Sequence, residues 1–289
     1  MAEISASAVK QLRELTGQAM MDCKKALTET GGDIDKAVIL LRKKGMAVME
    51  KRGGRETKEG QVLGKVSADG KKAAIIMLCS ETDFTAKNAD FQEAVKLTLE
   101  VLLNADTPPQ NSDSLTQIKT AKGKTVGEII NDMVSKTGEK ITLGNFACYQ
   151  LQGNGLLHVY IHFNGKIGTI LQLDTDKNVA GNPAVQTLAS DLAMHITAVN
   201  PVSLSREDVD PALIAREKEI AAEQVKGKPA NMIDKIVEGK ISKWFQQVVL
   251  LEQPFVKDDK KTVGALLKEV GQQAQAAIAL KRFARLQIG

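Results

Sequence analysis

The 289-residue sequence predicts an α+β fold, on three observations. The run Ala73-Ala74-Ile75-Ile76-Met77-Leu78-Cys79 is unbroken apolar chain, the signature of a strand buried on both faces. After it, Phe91, Ala94, Val95, Leu97, Thr98, Val101 and Leu102 recur at helical spacing, with Asp90 and Glu93 at capping-box spacing in front. The third is a repetition: Asp69-Gly70 and Asn164-Gly165, 95 residues apart, each join two strand-like runs that lead through a loop into a helix. Two related α+β subdomains with antiparallel sheets are therefore expected behind an N-terminal helical unit.

Taken in order, residues 1 to about 45 predict three short helices. Ser5 caps the first, Ala8, Leu12 and Leu15 share its inner face, and Gly17 ends it. The second covers about Gln18 to Thr30 and stops at Gly31-Gly32. Asp33 caps the third, where Ile34, Ala37, Val38 and Leu41 face inward and Gly45 is the expected stop. A bundle this small has little core and suits docking. Met20 and Met21 are adjacent, so one is expected inside and one outside as a soft contact. From Arg42 to Lys72 there are ten basic and four acidic residues around Gly53-Gly54, which reads as a solvated, flexible linker.

Strands follow at Gln61–Val66 and Lys72–Cys79. The Ser80–Asn88 segment then leaves the central strand as a loop, the usual place for working side chains. Phe84 is its one large apolar residue. It is either core tucked under the next helix or an exposed anchor for a partner with Asp83 beside it. A helix from Asp90 to Asn104, a Pro108-Pro109 loop and two short helices, near 114–121 and 125–137, come next. Gly123-Lys124-Thr125 lacks the glycine a phosphate loop needs five residues earlier, where Ile118 stands, so no nucleotide site is expected.

Strands at about 142–151, 156–163 and 167–173 are expected to form a meander, followed by a helix from Pro183 capped by Asn182. Asp210-Pro211 opens a helix to about Lys226, and Gly227-Lys228-Pro229 turns the chain. A second helix then carries a stripe of Ile233, Ile236, Val237, Lys240, Ile241, Trp244 and Val248, giving an antiparallel helical hairpin at about 205–250. A strand from about Ala277 to Leu286 completes the second sheet. The expected units are 1–54, three helices and linker; 55–140, the first subdomain; and 141–289, the second, with the hairpin inserted.

Composition excludes several classes. A hydrophobic fraction of 43% and a net charge of +4 are ordinary for a globular protein and too weakly basic to argue for nucleic acid. No apolar run approaches membrane-spanning length, and the first residues lack a secretory signal, so a cytoplasmic location is expected. Cys23, Cys79 and Cys148 stand at neither metal nor redox spacing and read as reduced structural thiols. His158 and His162 lie on strand-like chain with no further ligand nearby, so no metal is expected. No set of catalytic side chains and no cofactor motif emerges.

Several segments carry a family resemblance. Cys79-Ser80-Glu81-Thr82-Asp83-Phe84 with Ala86-Lys87-Asn88 resembles the signature loop of the elongation factor Ts family, the guanine-nucleotide exchange factors for elongation factor Tu; Thr85 stands where Val is usual. Leu12–Gly17, Met20–Leu27 and Gly32–Ala37 are similar to that family's N-terminal module, itself like a ubiquitin-associated domain. Tyr160–Gly168, Glu252–Lys257 and Thr262–Lys268 match further segments, so the resemblance covers nearly the whole chain. It implies that Thr82, Asp83, Phe84 and Thr85 disturb the magnesium site of elongation factor Tu. It also implies contacts from Arg13, Met20 and Met21 in the N-terminal module and from His162, Val256 and Lys257 in the second subdomain. It implies a coiled-coil arm at the hairpin, which some relatives use for self-association. Longer relatives add a C-terminal docking helix, which is not expected beyond Gly289. The alternative is an RNA-binding translation accessory protein using the basic 42–72 segment.

Overall fold

Ser5 accepts a hydrogen bond from the Ala8 N–H and starts α1 (Ala6–Thr16), which Gly17 ends in the left-handed conformation at φ 66°. The structure, a computed structural model, describes residues 4–225 and 230–289; the expected Gly227-Lys228-Pro229 turn lies outside them. After α1 come α2 (Met20–Glu29) and α3 (Ile34–Lys51), the latter capped by Asp33. Val9, Leu12, Cys23, Ala26, Leu27, Ala37 and Leu41 pack into their shared core. Leu15, expected on that face, is exposed.

The chain continues with β1 (Glu59–Val66), β2 (Lys72–Ser80), α4 (Asp83–Ala86), α5 (Ala89–Asn104), α6 (Ser112–Gln117), α7 (Val126–Thr137) and β3 (Ile141–Gln150). The second half holds β4 (Gly155–Ile161), β5 (Ile167–Thr175), α8 (Pro183–Val199), α9 (Pro211–Glu223) and α10 (Ala230–Val248). It ends with β6 (Pro254–Phe255), β7 (Asp258–Thr262), α11 (Val263–Ala274) and β8 (Ile278–Gln287). The fold is α+β with small antiparallel sheets, as expected.

Two three-stranded sheets form, ordered β1-β2-β3 and β4-β5-β8, beside the short β6-β7 hairpin. The meander expected from 142 to 173 is corrected here: β3 crosses back to pair with β2, Ala74 opposite Cys148, and only β4 and β5 form a hairpin. The two halves nonetheless repeat one topology. In each, a hairpin is followed by helices and a third strand that returns beside the hairpin's second strand.

β2 shows why its apolar run is continuous. Ala74, Ile76 and Leu78 pack against the helical layer with Phe91, Val95, Leu102 and Val134. Ala73, Ile75 and Cys79 face the second sheet, where Leu157, Ile170 and Leu286 meet them. Leu171 and Leu173 of β5 point the other way, onto α8 and α11. The sheets thus lie face to face with a helical layer outside each, and both central strands are covered on both faces. Burial pushes the Cys79 thiol up to about 11, as suits a structural cysteine.

The expected 42–72 linker narrows to 52–58, a mostly exposed stretch between α3 and β1. Gly45 does not stop α3, which runs on to Lys51. A Cβ at Gly45 would overlap Ser135 Oγ and stand 2.8 Å from Asn131 Oδ1 on α7. The glycine lets two helices touch, and Asn131 Nδ2 and Ser135 Oγ donate across that contact to the carbonyls of Arg42 (3.1 Å) and Leu41 (3.3 Å). Arg42 pairs with Glu128 at 2.7 Å, and Lys140 Nζ donates to the carbonyls of Gly53 (2.6 Å) and Arg55 (3.0 Å). On the hairpin, Ile241, Phe245 and Val249 are the buried positions of the α10 region, with Trp244 and Val248 only partly covered.

Candidate functional site

The segment after β2 is not plain loop. Its residues Asp83–Ala86 form α4, and α5 is capped by Asn88, whose side chain accepts from the Asp90 N–H, in place of the expected Asp90. Thr82 caps α4. Its N–H and hydroxyl both donate to the Glu139 carboxylate, at 3.1 and 2.7 Å. One residue earlier, Glu81 turns inward, with its side chain only 8% exposed. It accepts from Arg52 at 2.7 and 2.9 Å, from Arg55 at 3.5 Å and from the Lys140 N–H at 2.7 Å. Burial by itself would raise the Glu81 carboxyl, but the Lys140 N–H and the Arg52 guanidinium outweigh it and hold it below the usual range. Glu81 and Glu139 therefore tie the start of α4 to the segment just ahead of β3.

That pinned base sets what α4 shows to solvent. Thr85 and Ala86 point inward and are buried. Phe84 points outward and is 83% exposed, which decides between its two sequence readings in favour of the exposed one. Asp83 pairs with Lys87 one turn on, at 2.7 Å. The hydrogen bond from Lys87 is the main reason its carboxyl lies below the ordinary value.

The β4–β5 turn lies close by. Val62 N–H of β1 donates to Gly165 O at 2.7 Å, and Lys166 pairs with Glu59 at 2.6 Å. Lys87 is raised chiefly by Asp83 and, to a smaller degree, by that same Glu59. The strand β1, which carries Glu59, thus contacts both α4 and the turn. His162 sits at this turn, its Nδ1 3.1 Å from the Tyr160 hydroxyl and its ring 4.4 Å from that of Phe163. Phe163, 92% exposed, was missed in the sequence. A large aromatic directly ahead of an Asn-Gly turn is the signal that could have found it, since turn residues face water.

The other expected contacts are spread out. Arg13, Met20 and Met21 are all exposed on the three-helix unit. This corrects the expectation that one methionine is buried; Cys23, Ala26 and Leu27 supply the inner face of α2 instead. Val256 and Lys257 form the turn between β6 and β7, where Val256 is 48% exposed and Lys257 pairs with Asp191 of α8 at 2.8 Å. His158 is half-buried, and burial lowers its pKa. Among the described residues no cluster of His, Cys, Asp and Glu could hold a metal, and no helix is long and apolar enough to cross a membrane.

The family model described as Elongation factor TS matches residues 81–289. The chain belongs to the elongation factor Ts family. Elongation factor Ts of Aquifex aeolicus (strain VF5) is 42% identical over 293 residues, covering 99% of this chain and 98% of the relative. Elongation factor Ts of Desulfovibrio desulfuricans is 41% identical over 293 residues, covering 100% and 99%. That of Clostridium botulinum (strain Alaska E43) is 41% identical over 288 residues, covering 99% and 93%. The role is that of an elongation factor Ts in translation. The matched region begins at Glu81, the buried carboxylate beneath α4.

Proposed function

We propose that this chain is a guanine-nucleotide exchange factor that binds elongation factor Tu carrying GDP, disturbs its magnesium and phosphate site, and promotes GDP release so that GTP can enter. The observation that carries this reading is Phe84, an exposed aromatic ring on a four-residue helix whose base is locked by Glu81 and Glu139. A ring exposed to this degree contributes little to the fold and is free to fill a partner's pocket, as aromatic anchors do. Because the backbone at the start of α4 is already tied down through Thr82, little backbone entropy is lost when the ring docks.

The mechanism requires coupling, not bond chemistry. A factor that binds the empty GTPase more tightly than the loaded one lowers nucleotide affinity by the same ratio. A hundredfold weakening corresponds to about 2.7 kcal/mol of differential contact. Phe84 acts as the wedge. Asp83 reaches the magnesium region with Lys87 still beside it, or exchanges that lysine for a group on the partner. Thr82 and Thr85 act from within, by shaping α4. Arg13, Met20 and Met21 dock residues 1–54 on the GTPase, while His162, Val256 and Lys257 hold it from the second half. The chain itself needs no nucleotide, cofactor or metal, and the α9–α10 hairpin is available for self-association.

The RNA-binding alternative loses support because several of its cations are engaged internally: Arg42 with Glu128, Lys44 with Glu29, and Arg52 and Arg55 with Glu81. The test is whether catalytic amounts of the chain speed release of fluorescent GDP from elongation factor Tu. No acceleration at any concentration would refute the reading.

A further inference from the structure

α8 carries a histidine that none of the proposed contacts uses. His195 is fully buried, and both of its ring nitrogens are engaged. The Val256 N–H donates to Nδ1 at 3.3 Å. Nδ1 therefore carries no proton, the ring is the Nε2–H tautomer, and Nε2 donates to Gln253 Oε1 at 2.9 Å. Gln253 is in turn fixed, since its Nε2 donates to the Gln247 carbonyl at 2.6 Å. The Phe255 ring packs 5.9 Å from the imidazole. One turn earlier on α8, Asp191 holds Lys257. Four of the five residues from Gln253 to Lys257 are thus gripped by one helix, through a side chain, a ring, a backbone N–H and an ion pair. Of these four, Gln253 and Phe255 are buried, and Val256 is the apolar residue whose side chain is left exposed.

We infer that His195 is a positioning residue: it holds the backbone of the β6–β7 turn so that Val256 is presented outward to the GTPase. This rests on the reading of Val256 as a partner contact. The physical reason is that β6 is only two residues long, so its ladder with β7 has two register pairs with an irregularity between them and holds the turn weakly. An acceptor supplied from the helix beneath replaces the missing ladder bond. A buried imidazole does this without placing a charge in the core.

Two isosteric changes separate the two nitrogens. In His195→Asn the amide oxygen falls near the Nδ1 position and keeps an acceptor for Val256. In His195→Gln the amide falls near Nε2, keeping a partner for Gln253 and losing the acceptor for Val256. Amide hydrogen exchange and affinity for GDP-loaded elongation factor Tu are measured on full-length chains, with Val256→Ala alongside. Expected results are a protected Val256 N–H and affinity within about twofold for His195→Asn. His195→Gln and Val256→Ala should each lose affinity roughly three- to tenfold, with fast exchange at Val256 in His195→Gln. Equal losses in both histidine variants that track their unfolding temperatures would reduce His195 to packing and overturn the inference. Normal affinity of Val256→Ala would remove the contact on which it rests. Weakened Val256→Ala with unimpaired His195→Gln would overturn the positioning role alone and leave the contact standing.

Discussion

Glu139 accepts two hydrogen bonds from Thr82, from its N–H at 3.1 Å and its hydroxyl at 2.7 Å, across 57 residues of sequence. It is the acceptor that fixes the start of α4. Glu139→Ala leaves both donors unmatched in a half-buried place and is expected to cost about 1–3 kcal/mol. GDP release should slow although no proposed contact residue has changed. Glu139→Gln keeps one carbonyl acceptor and should fall between. Thermal unfolding and exchange rates measured on the same preparations check this. A well-folded Glu139→Ala chain exchanging at full rate would separate α4 geometry from function.

Phe84→Ala is expected to leave stability within about 0.5 kcal/mol, because an exposed ring contributes little to the fold. Its association with elongation factor Tu should weaken by roughly 2 kcal/mol or more. Asp83→Asn should also fold normally: Thr82, not Asp83, caps α4, and the Asp83–Lys87 pair is exposed. Its exchange rate should fall more than its affinity if the carboxylate acts on the loaded GTPase. Titration calorimetry beside stopped-flow GDP release distinguishes the two effects.

Gly45→Val is expected to destabilise the chain by about 1–3 kcal/mol, since the new side chain must force α3 away from Asn131 and Ser135. Removing residues 1–54 should also lower the stability of the remainder, because Glu128, Asn131 and Ser135 lose their partners on α3. Denaturant unfolding of both variants reads this directly. An unchanged midpoint in both would mean the three-helix unit and α7 do not support each other.

Acid should act through Glu81. Its folded pKa lies below the ordinary 4.5, so the stability it contributes is fully present above that value and lost as pH falls through the lowered one. Glu81→Gln should therefore be less stable than the parent at pH 7, and the gap should close in the acid range below 4.5. Urea unfolding as a function of pH provides the comparison. A gap that stays constant through that range would show that Glu81 acts by shape and not by charge.

Much of this protein was legible locally. Ser5, Asp33 and Asn182 cap their helices as read, Gly17 ends α1, and the Asp69-Gly70 and Asn164-Gly165 turns join the strands assigned to them. These signals depend on neighbours a few residues away, so the sequence contains both parties to each interaction. The α4 loop was legible as a segment, and its family match begins within it, but the direction of Phe84 was not. That direction is set by Glu139, which lies far along the chain.

What the sequence determined by itself was the α+β class, the order of elements apart from α4, β6, β7 and α11, the repeated hairpin-to-helix pattern and the family. Periodicity, caps and turn residues are short-range physics written in adjacent positions. Only the tertiary structure decided that β3 returns to β2, that Gly45 is a contact and not a stop, that both methionines face outward, and that Phe163 stands exposed beside His162. Each of those depends on which distant surface arrives to cover a residue. A glycine that ends a helix and one that admits a second helix are the same letter. What separates them is the presence of Asn131 and Ser135 across the gap.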